Sequence, residues 1–287
     1  MTTIKAVIKK HPVLTYFALT FAISWGCILM MLGPGGIPMT TEQFETLGPF
    51  VYMALFAGPS IAGLLLTGIV YGRAGFRELL SRLFRQRVGA GWVVAALLAT
   101  PLLAMAVLLA LSLLSPEFLP VIATADDKAG LLLTGIAVGL MVGIFEEIGW
   151  TGFAIPRLRR RYGILTTGLI VGVLWGAWHF IVFWQSDSFS GALPLVLLLG
   201  QLFSWLPAYR VLLVWVYDRT ESLLAVMLMH ASLVVTTAGT LVPVTLAGMS
   251  LLTWILAWAA ALWVVVAVVQ RLQPLPRPGR GVLPAQG

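Results

Sequence analysis

The chain is short of charge. Only 10% of its 287 residues are Asp, Glu, Lys or Arg, against 60% hydrophobic residues and a mean hydropathy of +0.98. Soluble domains carry about 25% charged residues, so a water-facing globular surface is excluded. Cysteine is nearly absent: Cys27 stands alone, which rules out an internal disulfide and every C-x-x-C redox or metal motif. It lacks the leucine context of a lipoprotein site and reads as a packed thiol. The net charge of +7 would suit nucleic acid. In so apolar a chain it reads instead as membrane topology, because Lys and Arg collect on the cytoplasmic side, and no nucleic-acid partner is expected.

What is present is a series of apolar runs, each near the roughly 20 residues that a helix needs to cross the hydrocarbon. They fall at 13–32, 50–71, 91–114, 129–152, 164–184, 191–215, 222–241 and 246–270. The fold class is therefore all-α, a polytopic membrane helix bundle of about eight transmembrane helices. The membrane domain is placed at 1–272, followed by a Pro/Arg/Gly-rich, disordered cytoplasmic tail at 273–287. The first run follows Lys5, Lys9 and Lys10 without a cleavage pattern and reads as an uncleaved anchor. With these boundaries every Lys and Arg except Lys128 falls on one side, Arg210 and Arg219 being placed beside the connection from the sixth run to the seventh. Glu42, Glu45, Glu117, Asp126, Asp127 and Asp187 fall with Lys128. Both termini are then cytoplasmic, in a multi-pass protein of a prokaryotic plasma membrane. Gly75–Arg85 has an apolar face of Phe76, Leu79, Leu80, Leu83 and Phe84 with arginines opposite, as a helix on the membrane surface would.

This placement leaves few ionisable groups inside the runs: Glu146 and Glu147 in the fourth, His179 in the fifth and His230 in the seventh. A carboxylate at mid-bilayer costs about 3 kcal/mol on insertion scales, and such groups persist where they face a polar interior. A single histidine would suit a bond to a backbone carbonyl; a glutamate pair with two histidines points to one shared site. Neighbouring helical residues point about 100° apart, so one glutamate does chemistry and the other orients or neutralises. At 1.5 Å per residue, Glu146 and His230 lie roughly 10 and 13 Å from the cytoplasmic end of their runs and His179 nearer 20 Å, a gap that tilt or a later helix start would close.

Motif exclusion narrows the chemistry. There is no H-E-x-x-H, no G-x-S-G, no G-x-G-D, no C-x-x-C-H and no phosphate loop. The stretch Phe145-Glu-Glu-Ile-Gly-Trp-Thr-Gly-Phe-Ala-Ile-Pro-Arg-Leu resembles the first motif of the CAAX protease and bacteriocin-processing (Abi) family of intramembrane proteases. Trp175-Gly-Ala-Trp-His179 resembles the second motif, and Met229-His230-Ala-Ser the third, so the core motifs occupy 129–240.

The resemblance implies that Glu146 is the catalytic glutamate, Glu147 its structural companion, and that His179 and His230 complete the site. Thr151 stands where the first motif usually has arginine, and Val234 where the third commonly has asparagine. Glu146 would activate water while the histidines stabilise the oxyanion or donate a proton. Alternatively Glu146, His179 and His230 would hold a divalent metal such as zinc. The implied substrate is a membrane-associated peptide or lipidated protein. A non-catalytic immunity or scaffold protein of the same fold, and a proton-coupled transporter, are the competing readings; the transporter would more often show internal symmetry or helices broken near mid-membrane.

Overall fold

The computed structural model describes residues 2–33, 35–85 and 88–271, with side chains from residue 5 onward. The tail expected at 273–287 lies outside the described residues. Among these residues there is no strand. The helices are α1 (Thr2–Lys10), α2 (Pro12–Leu32), α3 (Thr41–Leu83), α4 (Ala90–Ser112), α5 (Val121–Thr124), α6 (Lys128–Gly149), α7 (Ile155–Leu158), α8 (Ile164–Phe183), α9 (Ala192–Phe203), α10 (Leu206–Thr220), α11 (Leu223–Val235) and α12 (Gly248–Arg271). Counting α6 to α7 and α9 to α10 as single crossings, eight are long and apolar enough to span a membrane, as the hydropathy runs require. An even number of crossings returns the chain to the face it started from.

Caps fix several starts. The Thr40 hydroxyl accepts from Gln43 N while Gln43 Oε1 accepts from Thr40 N, and Asp127 Oδ1 accepts from Gly130 N. Such pairs satisfy amide groups that a first helical turn leaves open.

Two glycine rows set the tightest helix contacts. Gly135, Gly139 and Gly143 on α6 face α11, where a Cβ on Gly139 or Gly143 would come within 2.6 Å of the Ala231 or Met227 carbonyl oxygen. Gly168 and Gly172 on α8 face α10, where a Cβ would lie 2.5 Å from the Val211 or Pro207 Cα. Small residues every fourth position let membrane helices approach this closely. Both pairs carry site residues.

Prolines supply a second kind of contact. Proline has no N–H for the carbonyl four residues earlier, and in hydrocarbon an open carbonyl costs several kcal/mol. The carbonyls released by Pro59, Pro101 and Pro156 are each taken by a side chain from another helix. Ser24 donates to Leu55 O at 2.5 Å, Ser232 to Leu97 O at 2.7 Å, and Arg82 to Gly152 O at 3.1 Å.

Four sequence expectations need correction. Arg82 does not face outward with the other arginines of Gly75–Arg85, the segment that follows the bend of α3 at Gly72 (φ 59°, ψ −145°) and leaves Phe76, Leu80 and Phe84 exposed. It turns inward, donating also to the Tyr217 hydroxyl at 3.1 Å, and Leu79 packs with Leu223 and Met227. The sixth run is interrupted at Ser204–Trp205, just before Pro207, and its Ser204 carbonyl accepts from Trp263 Nε1 at 2.8 Å. Arg210, placed beside a connection, is 0% exposed inside α10. Glu146 and Glu147 are therefore not the only charged groups in the interior: Arg210 and Arg82 join them.

Candidate active site

Glu146 and Glu147 sit in the last turn of α6, which continues as a π-turn over Trp150–Ala154 with the Ile155 amide bonding back to Trp150 O. The His230 helix likewise ends in a π-turn, Thr236–Thr240. Such turns shift the side-chain register within a crossing and recur at functional sites.

The two glutamates diverge as their adjacency requires. Glu146, 1% exposed, faces a cavity of about 740 Å³ whose wall also includes Trp175, His179 and His230. Its Oε2 accepts from Trp175 Nε1 at 2.7 Å. Glu147 is off the cavity wall and fully enclosed. Its Oε1 meets Arg210 Nη1 at 2.7 Å and His230 Nδ1 at 2.7 Å, and its Oε2 accepts from the Thr151 hydroxyl. The hydroxyl at position 151 and the guanidinium from α10 together surround this carboxylate.

The two imidazoles flank one indole. The rings of His179 and His230 each lie 5.3 Å from the Trp175 ring, edge to face. His179 Nδ1 pairs with Trp175 O at 2.8 Å. An amide carbonyl only accepts, so that nitrogen carries hydrogen and Nε2 is left for the cavity. His230, 2% exposed, also uses Nδ1 inward and leaves Nε2. The depth gap expected for His179 is not closed by a late helix start, since α8 begins at Ile164; His179 reaches the shared cavity all the same.

Oxygen and imidazole donors with their second nitrogens anchored are of a kind that suits zinc. Among the described residues, however, no three His, Cys, Asp or Glu side chains are gathered at metal-holding spacing, and the chemistry below routes no step through a metal.

Two residues escaped the sequence reading. Arg210 carried its own signal: it falls within the sixth apolar run, three residues past a proline. Gln201 of α9, across the broken sixth crossing, is the one carboxamide among the described cavity residues, which include Val234 at the position where asparagine was missed.

Comparison with known proteins bears on this arrangement. Residues 128–236 match the family described as type II CAAX prenyl endopeptidase, Rce1-like. The chain carries a CAAX prenyl endopeptidase-like segment. Over 51 residues it is 33% identical to CAAX prenyl protease 2 of Methanococcus maripaludis, an alignment covering 18% of this chain and 19% of that protein. The chain thus matches about one fifth of that relative's length. The Rce1-like segment contains Glu146, Glu147, Thr151, His179, Arg210 and His230, and with the eight apolar crossings it describes a multi-pass membrane protein.

Proposed function

We propose that the protein is an intramembrane endopeptidase that hydrolyses a peptide bond of a membrane-associated substrate with water activated by Glu146. The observation that carries this reading is the cavity itself, where Glu146 is the one carboxylate among the described wall residues and two imidazoles share the space.

Trp175 holds Glu146 Oε2 and leaves Oε1 to take a proton from water as the oxygen attacks the carbonyl carbon. His230, backed by Glu147 and carrying hydrogen on Nδ1, takes that proton from Glu146 at Nε2 and passes it to the departing amine as the C–N bond breaks, which restores the starting state, and His179 positions the carbonyl end of the peptide. Glu147 and Arg210 are positioning groups in this scheme.

The cavity wall is mostly apolar, with Tyr52, Phe56, Met141 and Phe183 among its members. That lining, and the prenyl protease names of the matched family and relative, support a peptide with a lipid-modified C-terminus as substrate. The Lys and Arg distribution supports cytoplasmic termini even with Arg210 removed from it.

Glu146→Gln keeps an acceptor for Trp175 and the side-chain shape but removes the base. With a fluorogenic farnesylated peptide, the expected loss in kcat is about 10²–10⁴-fold. Unchanged cleavage overturns the mechanism. The interrupted sixth crossing is the observation that favours proton-coupled transport instead. A proton-linked flux in proteoliposomes that Glu146→Gln abolishes, without peptide cleavage by the native protein, would establish that reading.

A further inference from the structure

Arg210 lies outside all three motifs yet stands in the centre of the site. It is 0% exposed, with its guanidinium carbon 4.2 Å from the Trp175 ring centre. Only Nη1 is engaged, on Glu147 Oε1; Nε and Nη2 have no hydrogen-bond partner within the protein. A guanidinium retained for stability would be expected to use more of its five donors. Buried ion pairs are weak stabilisers, and apolar replacements of equal volume often serve as well. The single donor that Arg210 does use goes to the same oxygen that meets His230 Nδ1.

The chemistry of that shared oxygen is directional. Arginine only donates, so Glu147 Oε1 is an acceptor toward Arg210. As a carboxylate oxygen it is an acceptor toward His230 also. Nδ1 of His230 then carries hydrogen, and Nε2 is the nitrogen presented to the cavity. Thr151 meets the other oxygen of the same carboxylate from the π-turn that continues α6, at the position where the first motif usually has arginine. Positions 151 and 210 thus address one carboxylate from two helices.

We infer that Arg210 is a positioning residue that takes over, from α10, the place left by Thr151. It holds Glu147 as an acceptor and so fixes His230 in the Nδ1–H form with Nε2 toward the substrate. The kinetic consequence rests on the peptidase reading; the tautomer does not.

The test uses full-length protein in nanodiscs with ¹⁵N-labelled histidine, of which the chain has three, and four forms: native, Arg210→Gln, Arg210→Lys, and Thr151→Arg combined with Arg210→Gln. Without substrate, ¹⁵N NMR is expected to show His230 as a single Nδ1–H species in the native, Arg210→Lys and double variants, and as mixed tautomers in Arg210→Gln. With the farnesylated peptide, kcat of Arg210→Gln is expected to fall about 10–100-fold, the usual cost of removing a group that orients a reacting one. KM should stay within about twofold, since no substrate contact is lost. Lysine and the double variant should recover most of the rate.

A native tautomer and native kcat in Arg210→Gln overturn the inference, as does a folded double variant no better than Arg210→Gln. If Arg210→Gln fails to fold, the double variant decides alone, because it too lacks Arg210. If the native protein leaves the peptide intact while the tautomer follows Arg210, the peptidase reading falls and the positioning role stands.

Discussion

Gly143 offers a direct test of how helix spacing sets the site. It lies one turn before Glu147, on the face of α6 that meets α11. A Cβ at this position would sit 2.6 Å from Met227 O and 3.1 Å from Ala231 N, the residues on either side of the His230 turn. Non-bonded atoms settle near about 3.5 Å, so Gly143→Ala forces α6 and α11 apart locally by about 1 Å. The contact between His230 Nδ1 and Glu147 Oε1, now 2.7 Å, would stretch to about 3.6 Å, beyond hydrogen-bond length. Overpacking costs about 1–3 kcal/mol. Losing a buried hydrogen bond to a charged group costs about 1.5–3 kcal/mol, and the two overlap because separation relieves the clash. A loss of about 2–4 kcal/mol is expected from these terms together. In rate, a displacement of about 1 Å at reacting groups is worth about 10²-fold. Thermal unfolding in detergent and cleavage of the farnesylated peptide read the two effects. Gly26→Ala is the control, since a Cβ there meets nothing within 4 Å. A Gly143→Ala protein with native unfolding temperature and a rate within about threefold of native would refute the claim that this glycine face sets the catalytic spacing.

Two further outcomes follow from contacts elsewhere. Ser24→Ala removes the donor to Leu55 O and the acceptor of Trp178 Nε1 at 2.9 Å, and should cost about 1–3 kcal/mol of stability; an unchanged unfolding temperature would mean that the released carbonyl finds another partner. If Glu146 acts on water directly, as proposed, peptidase activity is expected to survive chelation and dialysis. Loss of activity that zinc alone restores would reassign Glu146, His179 and His230 as ligands.

The eight crossings were legible because each is an apolar stretch closed by charge, glycine or proline, and hydropathy alone marks such stretches. The divergence of Glu146 and Glu147 was legible too, since helical geometry forces it. Arg210 was misplaced for a definite reason: counting Lys and Arg by side treats every arginine as a loop marker, and a guanidinium neutralised within the bundle breaks that assumption. Arg82 was misplaced because an amphipathic pattern records which face is apolar without saying whether protein or lipid covers the other. The interruption at Ser204–Trp205 leaves hydropathy unbroken, so only Pro207 announced it. The glycine rows on α6 and α8 were visible at spacing four, but nothing in the pattern names the helix that each row meets.

The carbonyls released by proline also bear on the order in which the bundle assembles. A chain threaded into the bilayer from its N-terminus has Ser24 already in place when Leu55 arrives, so α2 and α3 can close on each other at once. Arg82 is likewise waiting when α6 and its π-turn emerge. Leu97 differs: its partner Ser232 lies 135 residues downstream. The open backbone acceptor of α4 is therefore closed only by α11, the helix that also brings His230 to the cavity wall, so one late-sequence helix both seats α4 and completes the cavity.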